Sequence, residues 1–100
     1  MYVAMNRFRV APDAGGTFEA AWRDRQSYLD QVPGFVSFQL LRGADGVFVS
    51  QSLWRDEASF VAWTESEAFR KAHGQRLPEG TLMGPPELSC YDVVLSEACE

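Results

Sequence analysis

The chain has 100 residues, 46% of them hydrophobic, with 14 acidic and 9 basic side chains and a formal net charge of −5. That is the size of a single domain, 1–100, with enough apolar residues for a core but much surface left uncovered. The acidic balance argues against broad nucleic-acid binding, which needs a basic footprint, and no apolar run approaches the length of a membrane span.

Residues 2–10 alternate: Tyr2, Ala4, Asn6, Phe8 and Val10 share one face, and Val3, Met5, Arg7 and Arg9 the other. The period of two predicts a strand. Residues 12–16 are a turn cluster. Thr17 is the expected N-cap of a helix running to about Gln31, with Phe18, Ala21, Trp22, Arg25 and Leu29 on neighbouring faces. Pro33-Gly34 stops it. Phe35 to Arg42 and Val47 to Trp54 read as strands joined by a hairpin turn, Gly43-Ala44-Asp45-Gly46. Asp56 caps the next helix, which carries Ala58, Phe60, Val61 and Trp63. Thr64-Glu65-Ser66-Glu67 matches a capping box and predicts a break, then a fresh helical turn to His73, with Gly74 as its C′ residue. Residues 74–86 form a long Pro/Gly-rich loop, of a length often functional in compact domains. Glu87 to Ser96 is the last strand.

The order β-α-β-β-α-β predicts an α+β, ferredoxin-like fold. The middle strands are apolar on both faces: Phe35 and Leu41 oppose Val36, Phe38 and Leu40, while Val47, Val49 and Leu53 oppose Phe48 and Trp54. Helices on one side of the sheet leave the other face to be covered. A second copy of the chain is the simplest cover, giving a homodimer whose two sheets form an α/β barrel.

The two cysteines, Cys90 and Cys99, show no zinc or CxxC spacing. Cys90 reads as a buried strand residue and Cys99 as a thiol in the tail, so no disulfide is expected between them. The N-terminus lacks the charged start and apolar core of a signal peptide, which makes a reducing cytoplasm the expected compartment.

Three residues stand apart. Asn6 places an amide on an apolar strand face. A buried amide is either hydrogen-bonded to a nearby backbone group or functional. Trp63 by itself is an ordinary core aromatic. His73, the one histidine, lies ten residues after Trp63, and its neighbours Arg70, Lys71 and Gly74 allow it a plain role at a helix C-terminus. Imidazole is also the usual protein ligand of haem iron. Other chemistries lack their parts. There is no GxSxG elbow for a triad, no GxGxxG or GxxxxGK[ST] loop, and a facial iron triad needs two histidines. Glu65 and Glu67 read as a solvated face.

Taken together, Asn6, the run Pro33-Gly34-Phe35-Val36-Ser37-Phe38-Gln39-Leu40-Leu41-Arg42, the junction Trp54-Arg55-Asp56-Glu57-Ala58-Ser59-Phe60, and Trp63 followed by His73 resemble the IsdG-type haem-degrading monooxygenases of the antibiotic-biosynthesis-monooxygenase superfamily. The likeness spans nearly all of residues 3–95. The Pro-Gly-Phe run and the junction belong to the whole superfamily; Asn, Trp and His together are the specific part. The resemblance implies His73 as the proximal iron ligand, Asn6 as a distal hydrogen-bond donor, and Trp63 as the wall that ruffles the porphyrin. It also makes Trp22 and Phe38 pocket walls, and Arg25 a partner for a haem propionate; the alternative for Arg25 is a surface ion pair with a carboxylate. The implied partners are haem, as substrate and cofactor, O₂ and an external electron donor. Two other functions share these features: a haem-binding or transfer module without turnover, and a cofactor-free monooxygenase acting on a quinol or anthrone-like aromatic.

Overall fold

A computed structural model describes residues 1–100 except Gln26, 74–76 and 99–100; of Ala72 and His73 it describes the helical backbone alone. The elements run β1 (Tyr2–Arg9), α1 (Gly15–Asp24), a 3₁₀ turn (Leu29–Gln31), β2 (Phe35–Arg42), β3 (Val47–Trp54), α2 (Glu57–Thr64), α3 (Glu67–His73) and β4 (Glu87–Asp92). One antiparallel sheet has the order β2-β3-β1-β4. This is the ferredoxin-like arrangement, with its second helix broken into α2 and α3.

The turns follow from local chemistry. Asp45 (φ 58°) and Gly46 (φ 78°) are both left-handed, as a tight hairpin requires. A Cβ on Gly46 would run into the Val10 carbonyl oxygen. Gly34 (φ 84°) has a second reason to be glycine, because a Cβ there would collide with the Ser59 side chain. The Pro-Gly turn thus seats directly on the first turn of α2, and Gly34 O accepts from Arg55 N at 2.8 Å. Asp56 caps α2 as expected: its Oδ1 accepts from Ser59 N at 2.8 Å and Ser59 Oγ at 2.7 Å. Those two bonds hold the carboxyl below its ordinary pKa.

Several expectations need correcting. The first helix does not start at a Thr17 cap or reach Gln31. It starts after Ala14, with no side-chain cap, and ends at Asp24. Beyond it Arg25 is extended (ψ 152°), Ser27 Oγ accepts from Leu29 N, and Tyr28 is left-handed (φ 60°). A serine hydroxyl bonded to nearby backbone competes with helix continuation, and Leu29 still reaches the core from the separate 3₁₀ turn. The break between α2 and α3 is present, but Ser66 makes the cap, accepting from Phe69 N at 3.2 Å, while the Thr64 hydroxyl bonds back to Val61 O. Gly74 lies outside the described residues. In β2 a bulge between Phe35 and Ser37 lets Phe35 pack with Phe38 on the core side, so Phe35 does not share a face with Leu41. β4 ends at Asp92, four residues short of Ser96, because β1 offers no partner beyond Tyr2; the last contact is Val93 N to Met1 O at 2.9 Å. Cys90 is exposed, not buried, since β4 is an edge strand. Its thiol and Glu57 push the Tyr2 hydroxyl up to about 12. Cys99 lies outside the described residues.

The helix-facing side of the sheet is built in rows across β1 and β3: Tyr2 beside Trp54, Ala4 beside Ser52, Asn6 beside Ser50, and Phe8 beside Phe48. Large aromatics fill the two ends and small or polar residues the middle. The core divides accordingly. One cluster holds Tyr2, Ala4, Leu29, Trp54 and Phe60; the other holds Phe8, Val10, Phe18 and Phe48. On the opposite face Leu41 and Tyr91 are exposed and Met5, Val49 and Leu53 half-buried, an apolar surface within this one chain.

Candidate active site

A cavity of about 500 Å³ opens between the two core clusters, within the range of small-molecule sites. Its origin is the middle of the sheet, where Ala4, Asn6, Ser50 and Ser52 leave space that aromatics fill at either end. Asn6, Trp22, Arg25, Phe38 and Trp63, from four different elements and a loop, all line it. His73 ends α3, beyond the cavity-lining Phe69; its imidazole lies outside the described residues.

β1 places Asn6 by simple alternation, on the face of Ala4 and Phe8. Its Oδ1 is buried and has no hydrogen-bond partner among the described residues. The expected satisfied core amide is therefore not what the strand presents. An unpaired buried acceptor costs about 1–3 kcal/mol, and such groups mark places where a ligand or a moving side chain completes the network.

Trp63 lies on α2 and is both core and wall. Its ring packs on Trp54 at 5.2 Å between centroids and edge-on to Phe69 at 4.9 Å, and it borders the cavity. Trp54 is held beneath it, its Nε1 donating to Ser52 Oγ at 2.9 Å. On the other side of the cavity Trp22 and Phe38 stack at 5.6 Å and 17°. The early end of α1 swings Arg25 back over this pair, with its guanidinium carbon 4.2 Å from the Trp22 ring centroid and 5.3 Å from that of Phe38. Cation–π contact holds it there. Burial lowers the Arg25 pKa, but a guanidinium starts so high that it stays charged at neutral pH.

Arg25 forms no ion pair among the described residues, so the alternative of a surface carboxylate partner is not the arrangement seen. Two carboxylates lie near it: Asp24, which also lines the cavity, forms no ion pair among the described residues, and Glu19 accepts from Arg42 at 2.7 and 3.0 Å and pairs with Arg23 at 3.4 Å. Arg42 also holds Glu19 below its ordinary pKa. Arg25 thus sets a positive charge at the edge of an apolar cavity, with no ion-pair partner among the described residues. Glu67, by contrast, is mostly exposed and pairs with Lys71 at 3.5 Å, the solvated face expected of it.

Residues 1–75 match the sequence profile described as antibiotic biosynthesis monooxygenase. The chain belongs to that family. Among similar proteins, a heme-degrading monooxygenase of Shouchella clausii is 35% identical over 75 residues, covering 70% of this chain and 69% of the relative. A heme oxygenase (mycobilin-producing) of Mycobacterium tuberculosis is 32% identical over 77 residues, covering 74% and 72%. Among solved structures, the heme-degrader MhuD of Mycobacterium tuberculosis, with two hemes bound in its active site, superposes with a TM-score of 0.81 at 28% identity over 98% of this chain and all of that one. SnoaB, a cofactor-independent oxygenase from Streptomyces nogalater, shares the fold with a TM-score of 0.71 at 22% identity over 95% and 94%.

For this monooxygenase the sequence reading overlooked Ser50 and Ser52. Both are buried, and both form part of the cavity floor. The signal was available: in Phe48-Val49-Ser50-Gln51-Ser52-Leu53-Trp54 the core-facing positions read aromatic, serine, serine, aromatic. Two hydroxyls between aromatics on one strand face indicate a gap in the core. No helix among the described residues is long and apolar enough to cross a membrane.

Proposed function

We propose that the protein is a haem-degrading monooxygenase. It binds haem in the cavity between the two core clusters and opens the porphyrin with O₂ and electrons from an external donor, releasing the iron. The observation that carries this reading is the Asn6 amide, without a hydrogen-bond partner among the described residues, set in an apolar cavity that Trp63 also lines. Similarity to relatives described as heme-degrading supports it.

The residues present fit the ligand. A flat, largely apolar macrocycle suits aromatic walls, and its carboxylates suit the Arg25 guanidinium beside Trp22 and Phe38, which has no ion-pair partner among the described residues. Haem would supply the redox-active iron and is itself the molecule consumed. His73 is the imidazole assigned to the iron by resemblance. Asn6 contributes an amide donor that can orient a diatomic ligand without adding charge. Trp63 contributes shape, a rigid indole backed by Trp54 and Phe69. A second copy of the chain, laid on the apolar outer face of the sheet, completes the homodimer.

Titration with hemin is expected to give the Soret band of histidine-ligated haem. Ascorbate in air should then bleach it, with mass analysis identifying an opened tetrapyrrole. Stable haem under reductant and O₂ removes the enzymatic reading and leaves binding. Oxygenation of a quinol or anthrone by metal-free protein, undiminished in His73→Ala, points instead to cofactor-free chemistry.

Trp63→Phe separates wall from filler. As core filler alone, the smaller ring costs about 1–3 kcal/mol and nothing else. As the wall that distorts the porphyrin, it should leave a folded, haem-binding protein whose haem is flatter. Degradation then slows or the cleavage products change, and paramagnetic NMR shifts of the ferric cyanide form report the planarity. Wild-type rate and products in a folded Trp63→Phe protein assign the indole to the core.

A further inference from the structure

The row Asn6–Ser50 in the sheet contains more than one amide. Ser50 lies directly opposite Asn6 in the β1–β3 register, lines the same cavity and is 9% exposed. Its hydroxyl, like the Asn6 side chain, forms no hydrogen bond among the described residues. The other hydroxyl on this floor is committed: Ser52 Oγ accepts from Trp54 Nε1 at 2.9 Å and bonds to Ala4 O at 3.4 Å. On the other flank Asn6 is opposite Leu88 of β4, which has no side-chain donor. Along β1 its same-face neighbours are Ala4 and Phe8. Ser50 is therefore the uncommitted donor in the Asn6 row.

We propose that Ser50 is a positioning residue for Asn6: its hydroxyl donates to the buried Oδ1 and so holds the amide with Nδ2 toward the cavity. Opposed residues of an antiparallel pair have Cβ atoms about 4.5–5.5 Å apart. The two groups are not bonded in the described structure, and the Ser50 hydroxyl has to turn between staggered χ1 wells to reach the amide oxygen. The orientation matters because the two ends of an amide are opposites. Nδ2 donates to a ligand oxygen, whereas a flipped amide would present Oδ1 and repel it. A donor on Oδ1 favours the orientation with Nδ2 toward the cavity over the flipped one. The role of Ser50 in turnover rests on the proposed haem reading; its effect on the amide does not.

The test therefore has an arm without haem. In the ¹⁵N-labelled apoprotein the Asn6 side-chain NH₂ resonances should shift and broaden in Ser50→Ala and return toward wild type in Ser50→Thr, which keeps the hydroxyl. Asn6 resonances unchanged by Ser50→Ala overturn the proposal, whatever the protein does with haem. With haem bound, the carbonyl stretch of the ferrous CO complex in Ser50→Ala should move toward that of Asn6→Ala. Turnover should fall by about 10- to 100-fold, the range a misplaced group costs, with hemin affinity retained. In an Asn6→Ala background, Ser50→Ala should have no further effect, since residues acting through one another are not additive. Additive losses would assign Ser50 a separate role and also overturn the proposal. If no variant, nor the wild type, turns over haem, the haem reading fails and the apoprotein spectra still decide whether Ser50 holds Asn6.

Discussion

If the protein degrades haem as proposed, Asn6→Ala is expected to reduce that turnover by about 10²- to 10³-fold, the loss that follows removal of one preorganised donor at a reacting centre. The Soret band with hemin should persist, because the iron ligand assigned by resemblance is elsewhere, at His73. Stability should change little. The amide makes no hydrogen bond in the described structure, so alanine removes an uncompensated buried polar group. A bond from Ser50 would contribute only about 0.5–1.5 kcal/mol net. The unfolding midpoint should thus stay near wild type while activity collapses. A variant that degrades haem at the wild-type rate would reduce Asn6 to a structural residue. One that loses activity only because it unfolds would leave no distal role to assign.

Phe18→Ala should produce one of the two largest losses of stability among the aromatic truncations near the cavity, the other being at the equally buried Trp54. Phe18 is fully buried, and its ring meets Phe48 at 4.8 Å, Phe8 at 5.2 Å and Trp22 at 5.9 Å. Phenylalanine to alanine at such a site costs about 3–5 kcal/mol, against a total of about 5–15 kcal/mol for a domain. For a chain of this size each 1 kcal/mol lowers the midpoint by about 4–8 °C, so calorimetry should find the variant marginal or unfolded. The consequence reaches the site. Phe8 and Trp22 line the cavity, and Trp22 supports Arg25; haem affinity should fall even where the variant still folds. A midpoint within 5 °C of wild type, checked against the ~4–8 °C expected per kcal/mol, would mean that the second cluster relaxes around the missing ring.

The legible parts of this protein are those that local chemistry decides. Alternation in residues 2–9 settles which side chains face the helices and puts Asn6 on the core side. The Asp45-Gly46 turn, the Asp56 cap and the Pro33-Gly34 stop are each set by one or two residues and their neighbours. The break before α3 was visible for the same reason, although the choice between the Thr64 and Ser66 hydroxyls was not. Both are capping residues, and only the path of the chain decides which one meets a free N–H. The end of α1 was illegible from pattern, because Phe18, Trp22 and Leu29 fit a helical stripe whether or not the helix continues. Leu29 reaches the same core from a 3₁₀ turn.

By itself, then, the sequence determined the order of elements, the faces of the strands and the residue types that suggest haem chemistry, since all of these are written in short-range spacing. The tertiary structure alone decided that a cavity exists. It arises where β1 and β3, far apart in the chain, align Ala4 and Asn6 with Ser52 and Ser50 between two pairs of aromatics. It also decided that Arg25 leaves the helix to stack on Trp22 and Phe38, and that Cys90 stands exposed on an edge strand. Register and burial depend on which strands meet, and that is settled by the packing of the whole core.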